Sequence, residues 1–321
     1  MVILTLFAGC ANPASDLADW SKPQVEQTCY VRAIWGSDAN HVWAGGNMIT
    51  KWDGTSWTTQ VPDTSVYDPG IGGAAPYVTG IWGSDANHVW AVLGDGRILK
   101  SDGSSWQADS TGSADVLSGI WGVDASHVWA VGTKNGWGVI LSWDGTSWSS
   151  QSVTPGISLY ALWGTDINNV WSVGAFGTVL KWDGSTWSQQ ARLSIDTLDA
   201  IWGSDPNNIF AAGPGGVAKW DGASWGMQDL GSLGQEADSN YYTVFGTDAK
   251  DVWLGGDNGT ILKWDGTSFS SQNSGQNGVF IFGIWGSDAT HIWAAATPFF
   301  KPSIVLKLTG ETWETDSAYP G

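Results

Sequence analysis

Residues 162–189 read LWGTDINNVWSVGAFGTVLKWDGSTWSQ, four short apolar runs parted by turn-forming residues, which is the pattern of consecutive antiparallel strands. Asp183-Gly184, between Gly177–Trp182 and Ser185–Gln189, predicts a tight hairpin. The opening segment recurs at Ile34–Asp38, Ile81–Asp85, Ile120–Asp124, Ile201–Asp205, Val244–Asp248 and Ile284–Asp288, which with Leu162–Asp166 makes seven copies. Their aromatic residues, Trp35, Trp82, Trp121, Trp163, Trp202, Phe245 and Trp285, are 47, 39, 42, 39, 43 and 40 residues apart. A period near 42 with four strands per unit is that of a propeller blade. The expected fold is therefore all-β: a seven-bladed β-propeller of four-stranded antiparallel blades over residues 30–317. Strands are lettered A to D from the axis outward.

Tryptophan follows the repeat. Of 25 Trp, 23 fall on one position in each of the four strands, with Phe245, Phe210 and Phe269 as substitutes. A row of indoles could serve as sugar platforms, but exchange with Phe is what packing tolerates, each ring burying roughly 150–250 Å². Small residues before the strand A aromatic (Ala33, Gly80, Gly119, Ala161, Ala200, Thr243, Gly283) suit a crowded innermost strand. The C-terminal Glu311–Glu314 is expected to supply the last outer strand, although Asp19–Gln24 has the same character.

The formal net charge of −18 disfavours nucleic acid as a partner. The charge is nearly all Asp, 27 against 4 Glu, and Asp caps turns through its short carboxylate. At the N-terminus, MVILTLFAGC ends an apolar run in small residues before Cys10. Residues 1–10 are similar to a lipoprotein-type signal segment whose lipobox Cys10 would be lipidated, though the n-region lacks Lys or Arg. Residues 11–29 would then be a tether or N-terminal arm. The alternative is a secreted protein in which Cys10 pairs with Cys29. No apolar run reaches 18 residues, so membrane contact is expected only through the lipid.

Repeats of the form IWGSDANHVWAVG followed by ILKWDGTSW resemble the Trp-rich propellers of secreted and lipid-anchored bacterial proteins. More distantly they are similar to BNR/Asp-box and Ycf48-like propellers. The resemblance covers residues 30–317 and implies a fold rather than an activity, because this architecture hosts enzymes, lectins and assembly factors. Location at the outer membrane or cell surface, and a monomeric state, are the accompanying expectations.

Loop lengths separate the two faces of the disc. The strand A and strand B aromatics are 8 residues apart in all seven repeats, and the strand C and D positions 5 apart. From B to C the spacing runs 9, 11, 14, 11, 10, 11 and 15, and from D to the next A 25, 15, 15, 15, 20 and 16. All the variation lies on one face, as expected where loops carry function on a rigid scaffold. Candidate binding residues there are Lys134, Asn135 and Trp137 in a long blade 3 B–C loop, Tyr67, Asp68 and Tyr77 between blades 1 and 2, and Phe299, Phe300 and Lys301 in blade 7.

Catalytic readings fare less well. His41, His88, His127 and His291 share one position in the A–B turn, about 10 Å apart on neighbouring blades, too far to hold one metal ion. Ser37, Asp38 and His41 recur as a hairpin motif, unlike a triad with an oxyanion hole. Resemblance to BNR propellers raises a sialidase-like glycoside hydrolase, whose three-Arg clamp would have to be Arg32, Arg97 and Arg192, without the accompanying Arg-Ile-Pro motif. The expectation is a non-catalytic binding module of the bacterial cell envelope, without metal or cofactor, that recognises a protein or glycan. A sialidase-like enzyme and a structural surface component are the alternatives.

Overall fold

The computed structural model describes residues 31–60, 77–109, 116–151, 153, 156–298 and 302–319. They form seven four-stranded antiparallel sheets, each built from four strands in chain order. Blade 1 is Val31–Asp38, His41–Gly46, Ile49–Trp52 and Trp57–Gln60. Blade 7 is Val279–Asp288, His291–Pro298, Ile304–Thr309 and Thr312–Thr315. Each innermost strand touches those of the blades on either side, and blade 1 meets blade 7. The chain is a seven-bladed β-propeller.

The ring closes without a shared blade. The C-terminal strand completes blade 7, while Asp19–Gln24 lies outside the described residues. Across the closure Val31 N–H donates to Ser303 Oγ (2.9 Å), Thr297 Oγ1 to the Val31 carbonyl (2.7 Å), and Trp57 Nε1 to Asp316 (3.1 Å).

The repeated aromatics are packing. Within a blade the strand A and B rings stack, as in Trp35–Trp43 at 5.6 Å and Trp163–Trp171 at 5.6 Å. A strand C lysine covers the strand B ring, Lys51 over Trp43 at 4.8 Å and Lys181 over Trp171 at 4.9 Å. Between blades the Trp-Gly of strand A acts as a lock. A Cβ on Gly83 would lie 2.7 Å from Cη2 of Trp35, and one on Gly36 2.6 Å from Cη2 of Trp285. The same approach recurs at Gly122, Gly164, Gly203 and Gly246, so the six-membered ring of one blade rests on the glycine of the next. Phe245 is too short for this, and the nearest atom to a Cβ on Gly286 belongs to Ile292.

The Asp-Gly hairpins differ from the expected two-residue turn. Trp52 pairs with Trp57, so four residues form the turn, with Gly54 at φ 94°. The Asp53 carboxylate accepts the Thr55 and Ser56 N–H groups (2.9 and 2.8 Å), replacing the backbone pairing that a tighter turn would provide.

Candidate functional site

On the constant-length face the carboxylates are already engaged. Every A–B turn Asp accepts the N–H two residues on, from Asp38 with Asn40 (2.8 Å) to Asp288 with Thr290 (2.8 Å). Hydrogen bonds from Thr55 and Ser56 hold Asp53 down to about 2, and Asp144, Asp183 and Asp265 share that depression. The four histidines extend the same capping: each Nδ1 sits 2.9–3.0 Å from its own turn's Asp. In blades 4 and 5, Asn169 and Asn208 donate Nδ2 to the corresponding Asp instead. Ser37 Oγ also donates to Asp38 (3.1 Å), so serine and histidine both bond to the carboxylate, the wrong order for nucleophile activation.

The two turn types on this face interlock, which explains their fixed lengths. The strand C indole donates to the A–B turn, Trp52 Nε1 to the Ala39 carbonyl (3.1 Å) and Trp143 Nε1 to that of Ala125 (3.1 Å). A Cβ on Gly54 would lie 2.7 Å from the Asn40 side chain. An insertion in either turn would break both contacts.

The opposite face presents ungrouped aromatics and cations. Trp137 and Phe176 are the most exposed large hydrophobic residues described, at 65% and 60%. Trp137 does not sit in a long loop: blade 3 extends its B–C hairpin, and Lys134 pairs directly with Trp137 across Asn135-Gly136. Both turn residues have positive φ (52° and 79°), the two-residue geometry that Asn-Gly favours. The length variation here is thus longer strand, which holds Trp137 rigidly with its ring against Gly156. Lys134 and Asn135 are exposed beside it.

Phe176 escaped the sequence reading. In blade 4 it occupies the slot of that Asn, at φ 57° before Gly177 at φ 64°, where a bulky side chain costs roughly 1–2 kcal/mol. Arg192, at the end of strand Trp187–Arg192, braces it: Nε donates to the Phe176 carbonyl (3.0 Å) and the guanidinium lies 5.6 Å from the ring centre. A Phe where blades 3 and 6 have Asn-Gly and blade 2 has Asp-Gly was the available signal.

Tyr77 is half-buried and packs on a cation. Its ring packs on Arg32, 4.4 Å away, and Phe282 of blade 7 covers Arg32 at 4.9 Å. Arg32 and Phe282 are equivalent residues, three before the strand A aromatic. In six blades this residue is a β-bulge between regularly paired neighbours: Arg32, Thr79, Ser118, Tyr160, Tyr242 and Phe282. Asp199 takes the place in blade 5, where burial pushes its carboxyl up to about 6. This ring was visible in the repeats as a position of changing chemistry between constant neighbours. Among the described residues Trp137 and Tyr77 share no ring contact. Tyr67, Asp68, Phe299, Phe300, Lys301 and Cys10 lie outside the described residues.

The three arginines do not converge. Arg32 is sandwiched, Arg97 pairs with Asp95 (2.6 Å), and Arg192 braces Phe176.

No protein-family profile matches the chain, and no curated protein matches it. Solved structures do. Ycf48 from Cyanidioschyzon merolae superimposes with a TM-score of 0.68 at 15% identity, over 89% of this chain and 97% of that one. A structure of Ycf48 bound to a D1 peptide gives 0.67 at 17% identity, over 92% and 97%. The WD40 repeats of RRP9 give 0.68 at 15% identity, over 84% and 88%. At these identities the likeness is one of fold.

Proposed function

We propose that this propeller is a non-catalytic protein-binding scaffold that engages its partner through the face of variable loop length. One observation carries the reading: the described aromatics left most open to solvent, Trp137 and Phe176, stand on adjacent blades of that face, each beside a cation. Exposed aromatics and Arg are the side chains enriched at protein interfaces. Ycf48, similar in fold, has been seen with a peptide bound, which supports the class of partner. An exposed indole beside Lys134 and Asn135 is also suited to a sugar ring, so a glycan array belongs beside the protein experiment.

We also propose that the chain is exported and held at the cell envelope by a lipid on Cys10, on the strength of the Ala8-Gly9-Cys10 motif. Mass spectrometry of the native protein should find a lipidated Cys10 as the first residue; an unprocessed Met1 on cytoplasmic material would overturn this. The binding reading is tested by pull-down from envelope extract with the wild type and a Trp137→Ala, Phe176→Asn double variant. Partners captured equally by both would count against this face.

A further inference from the structure

We propose that the axial mouth of the variable face is a polarised recognition site for an extended peptide segment of the partner, in which an acidic and a basic side chain flank an apolar one. This rests on the protein-binding reading and adds the chemistry of the segment.

The ring of equivalent residues, six bulges and Asp199, carries one cation and one anion, and neither has a polar side-chain partner among the described residues. Arg32 is exposed, with Tyr77 on one side of its guanidinium and Phe282 on the other, at 4.4 and 4.9 Å. Stacking of this kind orients the group while leaving its in-plane N–H donors for an acceptor. A carboxylate taken by such a fixed fork gains two charge-assisted bonds with little further loss of side-chain freedom.

Going from blade 1 through blades 7 and 6 to blade 5, the next residues are Phe282, Tyr242 and Asp199. The Phe282 and Tyr242 rings are 5.0 Å apart, and Phe280 packs against both at 5.5 and 6.0 Å. Tyr242 is pinned because its hydroxyl donates to Asp257 Oδ1 (2.6 Å), whose other oxygen accepts from Asn240 Nδ2 (2.7 Å). Asp199 follows, half-buried and, among the described residues, without a donor to its carboxylate.

Two intervening aromatic-bearing blades keep Arg32 and Asp199 from neutralising each other. A half-buried charge without a partner is a standing penalty that a ligand of opposite charge relieves. The complementary ligand therefore has a carboxylate for Arg32, an apolar side chain for the Phe282–Tyr242 wall and an ammonium or guanidinium for Asp199. The net charge of −18 would speed the approach of the basic end.

The test uses the full chain and a positional library of acetylated, amidated octapeptides carrying one Asp, one Phe and one Lys in every order and spacing. The expected result is selection of peptides in which Asp and Lys flank Phe. Arg32→Gln and Asp199→Asn should each weaken these by about tenfold, and Arg32→Glu, which makes both poles acidic, should erase the preferred order of Asp and Lys. Arg32→Lys, which keeps the charge, guards against a folding defect, and thermal melts accompany every variant. The proposal is overturned if no charge order is selected, or if selected peptides bind the well-folded variants unchanged. A partner that crosslinks at Trp137 and Phe176 yet ignores Arg32 and Asp199 would sink this inference and leave the binding face intact.

Discussion

The two faces of this disc are made by the same repeats and behave in opposite ways. On the constant face, turn carboxylates accept backbone N–H groups, indoles donate across turns, and histidines bond to aspartates within their own hairpins. Its chemistry is consumed internally. On the variable face Trp137 and Phe176 stand in solvent, and Arg32 and Asp199 have no polar side-chain partners among the described residues. A charged surface is thus no guide to function until its hydrogen bonds are assigned: the more acidic face is the more satisfied one.

The sharpest way to break this comparison is to remove one tryptophan from each class. Trp171 is fully buried between blades, so Trp171→Ala should cost ~3–5 kcal/mol of stability by opening a core cavity. Trp137→Ala should change stability by less than ~0.5 kcal/mol and weaken partner binding by ~2 kcal/mol or more. Denaturant titration and partner affinity on both variants decide it; equal destabilisation would abolish the distinction.

The inter-blade lock comes next. Gly83→Ala forces a Cβ against Cη2 of Trp35 and the His88 carbonyl, both 2.7 Å away, and should cost about 1–3 kcal/mol. Trp35→Phe in the same chain should recover only part of this, because the carbonyl contact remains. Full recovery in a thermal melt would show that the ring contact alone matters.

Phe176→Asn is expected to restore a favoured Asn-Gly turn and stabilise the protein by about 1 kcal/mol while reducing binding. A loss of stability instead would mean that the Phe176–Arg192 contact outweighs the left-handed backbone. A smaller effect tests the outer rim, where Trp106 Nε1 donates to Gln60 (2.9 Å) but Trp225 Nε1 and Gln190 Oε1 have no partner among the described residues. Trp106→Phe should cost about 1 kcal/mol more than Trp225→Phe, measured in parallel denaturant titrations.

The faces should also separate by pH. Asp53, Asp144, Asp183 and Asp265 are depressed to about 2 from an unfolded value of about 3.9. Their stabilisation is complete above pH ~4 and is lost as pH falls through 2. Asp199, raised to about 6, works the other way: its penalty is present above pH 6 and is relieved as pH falls toward 4. The melting temperature should therefore rise slightly from pH 7 to 4 and fall below that, and Asp199→Asn should flatten the first part of the curve. An unchanged curve in that variant would place the rise elsewhere.

Periodicity was enough to determine the blade number, the strand order and which face varies, because a four-stranded blade must repeat its buried rings and its turn caps at fixed intervals. The role of the 13 A–B and C–D turn aspartates was also legible, since a single Asp in a short turn has its own backbone as nearest donor. The sequence could not reveal that the extra residues around Trp137 lengthen strands, because a two-residue Asn-Gly turn lets either loop or hairpin absorb them. Nor could it show that Tyr77 packs onto Arg32. Those outcomes depend on contacts between residues far apart in the chain, Arg32 with Phe282 and Asp199 near Tyr242, which exist only once seven blades close into a ring and bring the equivalent strand A residues of neighbouring blades together.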